Sequence, residues 1–313
     1  MLKVPTAYRS SSPSRPRKPM IGACSRSSYG AGAERRGRVR RTALALCAIT
    51  GLAAAPLQAQ LLVDPLEVTL TTEGAGRVTG SFSLANTSDV AVQATITRQD
   101  WARAENGDNR FLPAGSTGSS CGEILTATPV SVRIEPRTSR LVRLAVEGAA
   151  TLRKECWDIF FVEELPQRAG VRGNSLQYIF RTGVKVYVTP PGLKRDAAVE
   201  DMAVEEVPVT PSTSASSTPV SRIAPATKRQ ISVRFRNTGG VHFVAKGHLE
   251  FRRLDNSVAA RVAVPEFPTL PGATRKVMTD IPADLAAGDY VVLALVDFGG
   301  AELVAGQIDL QVK

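Results

Sequence analysis

The sequence predicts an all-β protein built as sandwiches, and three observations carry that prediction. Short apolar-alternating runs recur between turn residues. They are rich in Val, Thr and aromatics, the composition that suits a pleated, half-buried surface. No segment carries a sustained helical period with caps. The 254 residues that follow position 59 suit two domains.

The first 41 residues hold eleven of the 39 Lys and Arg and one acid, Glu34, which accounts for the whole formal charge of +10. The rest of the chain carries 28 bases and 28 acids (39 less eleven and 29 less one) and is neutral. The positive charge is therefore no sign of nucleic-acid binding. After Arg41 comes the uncharged run TALALCAITGLAAAP, then Leu57-Gln58-Ala59-Gln60. A basic region, a short apolar core and a small residue at the exit read as a secretory signal peptide cut after Ala59. A membrane anchor competes with that reading, but about 15 residues fall short of the 20 or so that span a bilayer. Arg40-Arg41 is a weak twin-arginine hint. An exported chain is expected in the periplasm.

Cys24 and Cys47 leave with this leader, and Cys121 and Cys156 remain. In an oxidising compartment a disulfide between them is expected, with two buried thiols as the competing reading.

The first set of strands runs through LEVTL from Leu66, RVTGSFSLAN to Asn86, AVQATITRQDW to Trp101, VSVRIEP, RLVRLAVE and WDIFFVEELP. Its last member is Ser175 to Pro190, SLQYIFRTGVKVYVTP, in which Leu176, Tyr178, Phe180, Val184, Val186 and Val188 share one parity. A period of two places one parity on one face of a strand. At about 3.3 Å per residue the run spans roughly 40 Å, far beyond a common strand of five or six residues. A strand that long outruns its neighbours and leaves an edge that recruits other chains. Pro190-Pro191-Gly192 then marks the domain junction, since proline ends pairing.

The second set reads AAVEDMAVEEV, ISVRFRN, VHFVAKGHLEFRRL, RVAVPEF, RKVMTDI, YVVLALVDF and AGQIDLQVK. Between its first two members lies a Ser/Thr/Pro-rich insertion at about 208–227, too poor in apolar residues to offset its ordering entropy. The expected divisions are 1–59 for the leader, 60–191 for the first domain and 192–313 for the second.

Several of these pieces resemble the periplasmic chaperones of the chaperone–usher pathway, the family of the P-pilus chaperone. Ala127-Thr128-Pro129 through Arg133-Ile134-Glu135-Pro136 to Leu141-Val142-Arg143-Leu144 is similar to the family's Pro-containing strand, turn and following strand. Glu155 to Pro166 resembles its penultimate strand, and Leu176-Gln177 through Val184-Lys185-Val186-Tyr187 to Pro190 its final edge strand and domain link. Asp297-Phe298-Gly299-Gly300 resembles a motif near the family's end.

The resemblance implies two immunoglobulin-like β-sandwich domains in tandem, and a periplasmic chaperone for fimbrial or pilus subunits that lack a strand. It also implies donation of the edge strand to the subunit and delivery to an outer-membrane usher, with no cofactor and no catalysis. On that reading Leu176, Tyr178 and Phe180 enter the client, with backbone pairing for affinity and alternate side chains for specificity. Read from the residues alone, the same side chains are core of their own sandwich. The family anchors the client's terminal carboxylate on two basic residues. Lys185 falls on one of them and Glu67, an acid, on the other. Glu155 and Asp297 match two acids of an interdomain cluster whose arginine position is Thr189 here. Arg153, Lys154 and Arg195 are then the expected substitutes for the missing cation. A structural or adhesive surface protein of two immunoglobulin-like domains is the alternative.

Other signals are set aside. His242 and His248, six apart in an expected strand, lie on one face and read as surface residues in preference to metal ligands. With no His in the first domain, a His-based triad there is excluded. Gly74, Gly76 and Gly80 lack dinucleotide-motif spacing. Glu105-Asn106-Gly107-Asp108-Asn109 reads as a polar turn in preference to a calcium loop. Nothing in the chain calls for a small-molecule substrate.

Overall fold

Alternation with a period of two is realised as paired β-strands across the described residues. The structure, a computed structural model, describes residues 61–72, 76–165, 179–209 and 227–313, all within the unit Pro56–Lys313. The leader, Leu176, Tyr178 and nearly all of the Ser/Thr/Pro-rich insertion lie outside the described residues.

The first sandwich contains β1 (Leu61–Asp64), β2 (Glu67–Thr71), β3 (Arg77–Asn86), β4 (Val92–Arg103), β5 (Asn109–Leu112), β6 (Leu125–Thr128), β7 (Ser131–Ile134), β8 (Ser139–Glu147), β9 (Cys156–Glu164) and β10 (Arg181–Thr189). One sheet has the order β1-β3-β8-β6, and the facing sheet β2-β10-β9-β4-β5 with β7 also on β4. The second contains β11 (Ala197–Pro208), β12 (Thr227–Asn237), β13 (Phe243–Arg253), β14 (Val258–Thr269), β15 (Thr274–Asp280), β16 (Gly288–Asp297) and β17 (Val304–Val312). Its sheets are β11-β12-β15 and β14-β13-β16-β17.

Each core is what the alternation dictates. Phe82 and Leu84 on β3, Val142, Leu144 and Val146 on β8, and Val184, Val186 and Val188 on β10 are buried together. In the second sandwich Ile231, Val233 and Phe235 on β12 meet Leu249 and Phe251 on β13 and Val292, Ala294 and Val296 on β16. Each large apolar side chain so buried contributes about 1.5–3 kcal/mol relative to exposure. Of the four four-residue strands, β7 falls within the run VSVRIEP, while β1, β5 and β6 are not among the alternating runs, because four residues hold little of a period to read.

Strand β9 is buried on both faces. Cys156, Phe160 and Val162 point into the first core, while Trp157, Ile159 and Phe161 join Trp101, Tyr187 and Leu270 in a separate apolar cluster. Leu270 comes from the second sandwich, so this cluster is the junction between the two. It explains why Tyr187, of the outward parity on β10, is only 2% exposed.

Cys121 and Cys156 are disulfide-bonded, with Cα atoms 5.0 Å apart and a sequence separation of 35. Closing a loop of that length contributes roughly 3–4 kcal/mol through the unfolded chain. The segment before Cys121 is tied to Asp100, whose buried carboxylate accepts bonds from Gly115 N (3.0 Å), Thr117 N (2.8 Å), Thr117 Oγ1 (2.9 Å) and Ser120 Oγ (2.8 Å). Burial alone would raise this carboxyl, and the four donors outweigh it and hold Asp100 below the usual carboxylate range. Asp158 beside it has weaker partners, Ser120 Oγ at 3.3 Å and Cys121 N at 3.4 Å, with Arg98 Nε 3.9 Å away. Burial pushes it up to about 6.

Candidate functional site

The two edges of β10 are paired over different lengths. Against β9 the register runs from Arg181↔Glu163 to Val188↔Cys156. Against β2 it runs parallel and only from Lys185↔Glu67 to Thr189↔Thr71. Lys185 N donates to Leu66 O at 2.9 Å, which shows that the odd positions aim their backbone groups towards β2. By the same period the N–H and C=O of Arg181 and Gly183 aim that way too. Among the described residues no strand meets them there.

Side chains divide by parity at the same place. Val184, Val186 and Val188 fill the first core. Phe180, of the same parity, is 42% exposed, and Ile179 before it is 56% exposed. Gly183 lies flush beneath β9, where a Cβ would come 2.6 Å from Ile159 Cδ1. On the outward face the Arg181 guanidinium lies 3.6 Å from the centre of the Phe161 ring, and the exposed Phe111 meets Phe161 edge-on at 4.9 Å. Among the described residues the strand therefore ends its own core at Val184 and leaves one edge unpaired, with apolar and cationic neighbours.

Cations gather where that open edge begins. Lys185 Nζ lies 5.1 Å and Arg103 Cζ 5.3 Å from the centre of the Trp101 indole. Burial lowers the Lys185 ammonium, the Arg103 charge lowers it further, and Glu67 opposes both effects. Arg103 is likewise depressed by burial, with Tyr187 and Glu67 acting in the other direction. Glu67 is the register partner of Lys185 and is itself exposed. A second cation thus stands beside Lys185, supplied by the end of β4. Sequence reasoning missed Arg103 because it is placed by strand order, β10 and β4 flanking β9, and not by spacing.

The two acids matched to an interdomain cluster have separate hydrogen-bond partners. Glu155, its side chain wholly buried, accepts Thr189 Oγ1 at 2.6 Å, His242 N at 2.6 Å and His242 Nδ1 at 2.8 Å. His242 Nε2 reaches Thr69 Oγ1 at 3.4 Å, and its ring stacks on Tyr187 with centroids 3.6 Å apart. Asp297 instead accepts Gly299 N at 2.9 Å and caps its own turn. Arg153 donates to Ala150 O and Leu152 O, and Arg195 to Gly299 O, so neither reaches Glu155. His242 is therefore no surface residue. It precedes β13 and joins the sandwiches, whereas His248 sits within β13 near Glu250 at 3.4 Å. Thr69, Glu155, Thr189, Arg195 and His242 line a cavity of about 640 Å³ between the two sandwiches.

These features describe two β-sandwiches packed at a junction, with a β10 edge at Arg181 and Gly183 that no described strand pairs. Residues 66–194 match the family described as the pili and flagellar-assembly chaperone, PapD N-terminal domain. That match covers most of the first sandwich, β2 to β10, and leaves the second sandwich outside it. No curated protein matches the chain significantly. Among solved structures it is similar to the YadV chaperone (19% identity, 80% of this chain and 100% of that one, TM-score 0.42). It is also similar to the CupB2 chaperone of Pseudomonas aeruginosa (17%, 80% and 100%, 0.40). A third is the CsuC–CsuE chaperone–tip adhesion subunit pre-assembly complex of Acinetobacter baumannii (12%, 80% and 98%, 0.42).

Proposed function

We propose that the chain is a periplasmic chaperone that binds and caps fimbrial or pilus subunits by lending them its edge strand, for delivery to an outer-membrane usher. The observation that carries this reading is the unequal pairing of β10: Arg181 and Gly183 stand opposite Glu163 and Phe161 of β9 in register, while their own backbone groups face the side where no described strand pairs them. A strand edge left open costs its backbone groups a partner and invites another chain. A subunit lacking one strand supplies the complementary need, so both edges are satisfied in one complex.

Phe180, with Leu176 and Tyr178 of the same parity, supplies the side chains for the subunit's groove. Lys185 and Arg103 form an anion subsite where the open edge ends, fitted to a chain-terminal carboxylate by charge-assisted bonds. Glu67 offsets part of that positive charge. The binding needs no cofactor and no bond making or breaking. The test is Tyr178→Glu with Phe180→Glu, expressed with export intact and isolated from periplasm. Loss of co-purifying subunit from a folded variant is the expected result. Undiminished capture would exclude donation through this face, and a chain found polymerised on the surface with no incomplete client would favour the adhesive alternative.

A further inference from the structure

The turn that carries Arg103 is held by the other sandwich. Residues 104–108 close the β4–β5 hairpin through Ala104 N to Asp108 O (2.9 Å) and Gly107 N to Ala104 O (2.9 Å). Arg103 Nη1 grips this turn from the first sandwich by donating to Gly107 O at 3.1 Å. Arg275, on β15 of the second, grips it from the opposite side. Its Nη1 donates to Ala104 O at 3.1 Å and to Glu105 O at 2.9 Å. Lys276 N also donates to Glu105 O, at 2.8 Å, and the Glu105 carboxylate takes two 3.2 Å bonds from Arg234.

Arg275 is only 7% exposed, and its guanidinium lies against Gly107 so closely that a Cβ there would fall 2.5 Å from Nη2. Two like charges share the turn, and the Arg103 charge weighs on Arg275 as burial does. Among the described residues the Nε atoms of both arginines are buried with no hydrogen-bond partner. A buried donor without a partner is costly, and a cation pair held at short range favours an anion between or beside its members.

We infer that Arg275 is a positioning residue for the anion subsite: by bracing the 104–108 turn from the second sandwich it fixes Arg103 beside Lys185. This rests on the carboxylate reading given above and adds to it a role for the second sandwich. It makes capture of the chain terminus depend on the two sandwiches staying docked. Arg275 itself does not touch the client's carboxylate.

The experiment uses the full mature chain and a fluorescent 15-residue peptide of alternating apolar residues, made once as the free acid and once as the C-terminal amide. A charge-assisted pair gives the wild type a preference of about tenfold or more for the acid. Lys185→Ala removes that preference. Arg275→Lys, which keeps the charge but cannot bridge Ala104 and Glu105, reduces the acid-to-amide ratio at least threefold while leaving amide affinity unchanged. In an Arg103→Ala background the same change does nothing further. A ratio unmoved by Arg275→Lys and Arg275→Ala, with Lys185→Ala still abolishing it, overturns the positioning role and leaves the carboxylate reading intact. A wild type that does not distinguish acid from amide overturns both. An equal fall for acid and amide means that Arg275 is structural only, which also overturns the inference.

Discussion

His242 closes on Glu155 with both its backbone amide and its ring, at 2.6 and 2.8 Å, and in doing so ties the second sandwich to the first. The carboxylate is completely buried and takes its third bond from Thr189. Burying an acid is tolerable only when its lone pairs are satisfied, and here two of three donors come from one residue of the other domain.

His242→Ala keeps the amide bond to Glu155 and removes the ring bond and the stack on Tyr187. The expected loss is about 1–3 kcal/mol of coupling between the sandwiches. It should be seen in urea unfolding as a broadened or split transition. A single transition with an unchanged midpoint would contradict the tie.

Asp158 gives a pH dependence whose sign can be worked out. Its folded value, near 6, lies above the ordinary value of about 3.9 for an unfolded chain. Between those values the folded state binds the extra proton, so this group's contribution improves as pH falls and is unfavourable at neutrality. Two units correspond to about 2–3 kcal/mol. Asp158→Asn is expected to be more stable than wild type at pH 7, with the difference shrinking towards pH 4. Thermal melts of both proteins at pH 4, 5, 6 and 7 measure it, and a constant difference would refute the assignment.

The disulfide should matter most where the fold has least regular structure. Cys121→Ser with Cys156→Ser is expected to lower unfolding stability by roughly 3–4 kcal/mol. Adding reductant to the wild type in denaturant should reproduce that loss, and adding it to the double variant should change nothing.

Much of this fold was legible from period alone, and the reasons differ for the parts that were not. The buried valines of β10, the alternation of β3 and β8, and the cysteine pair follow from local spacing and compartment. Tyr187 broke the parity because the second sandwich covers it, and His242 read as a surface residue because its partner lies 87 positions earlier. Arg103 and Arg275 meet only through strand order and domain docking. A linear pattern records which face a residue occupies within its own strand. It does not record which strand of another sheet arrives at that face.

Gly107 is one place where local and tertiary constraints coincide. Its φ of +100° suits glycine, and an added Cβ would fall 2.5 Å from Arg275 Nη2. Gly107→Ala is expected to cost about 1–3 kcal/mol from backbone strain alone, with further loss from displacing the guanidinium. Differential scanning calorimetry checks this, and a variant that melts with the wild type would show that the turn accommodates a Cβ.

The most direct test of strand donation is residue-resolved amide exchange with and without a bound client subunit from the same periplasm. Arg181 and Gly183 aim their amides at the open side of β10, whereas Lys185 already donates to Leu66 O. The account predicts that exchange at Arg181 and Gly183 is fast in the free protein and slows strongly on binding, while Lys185 is protected in both. Client bound with Arg181 and Gly183 still exchanging as in the free protein would contradict it.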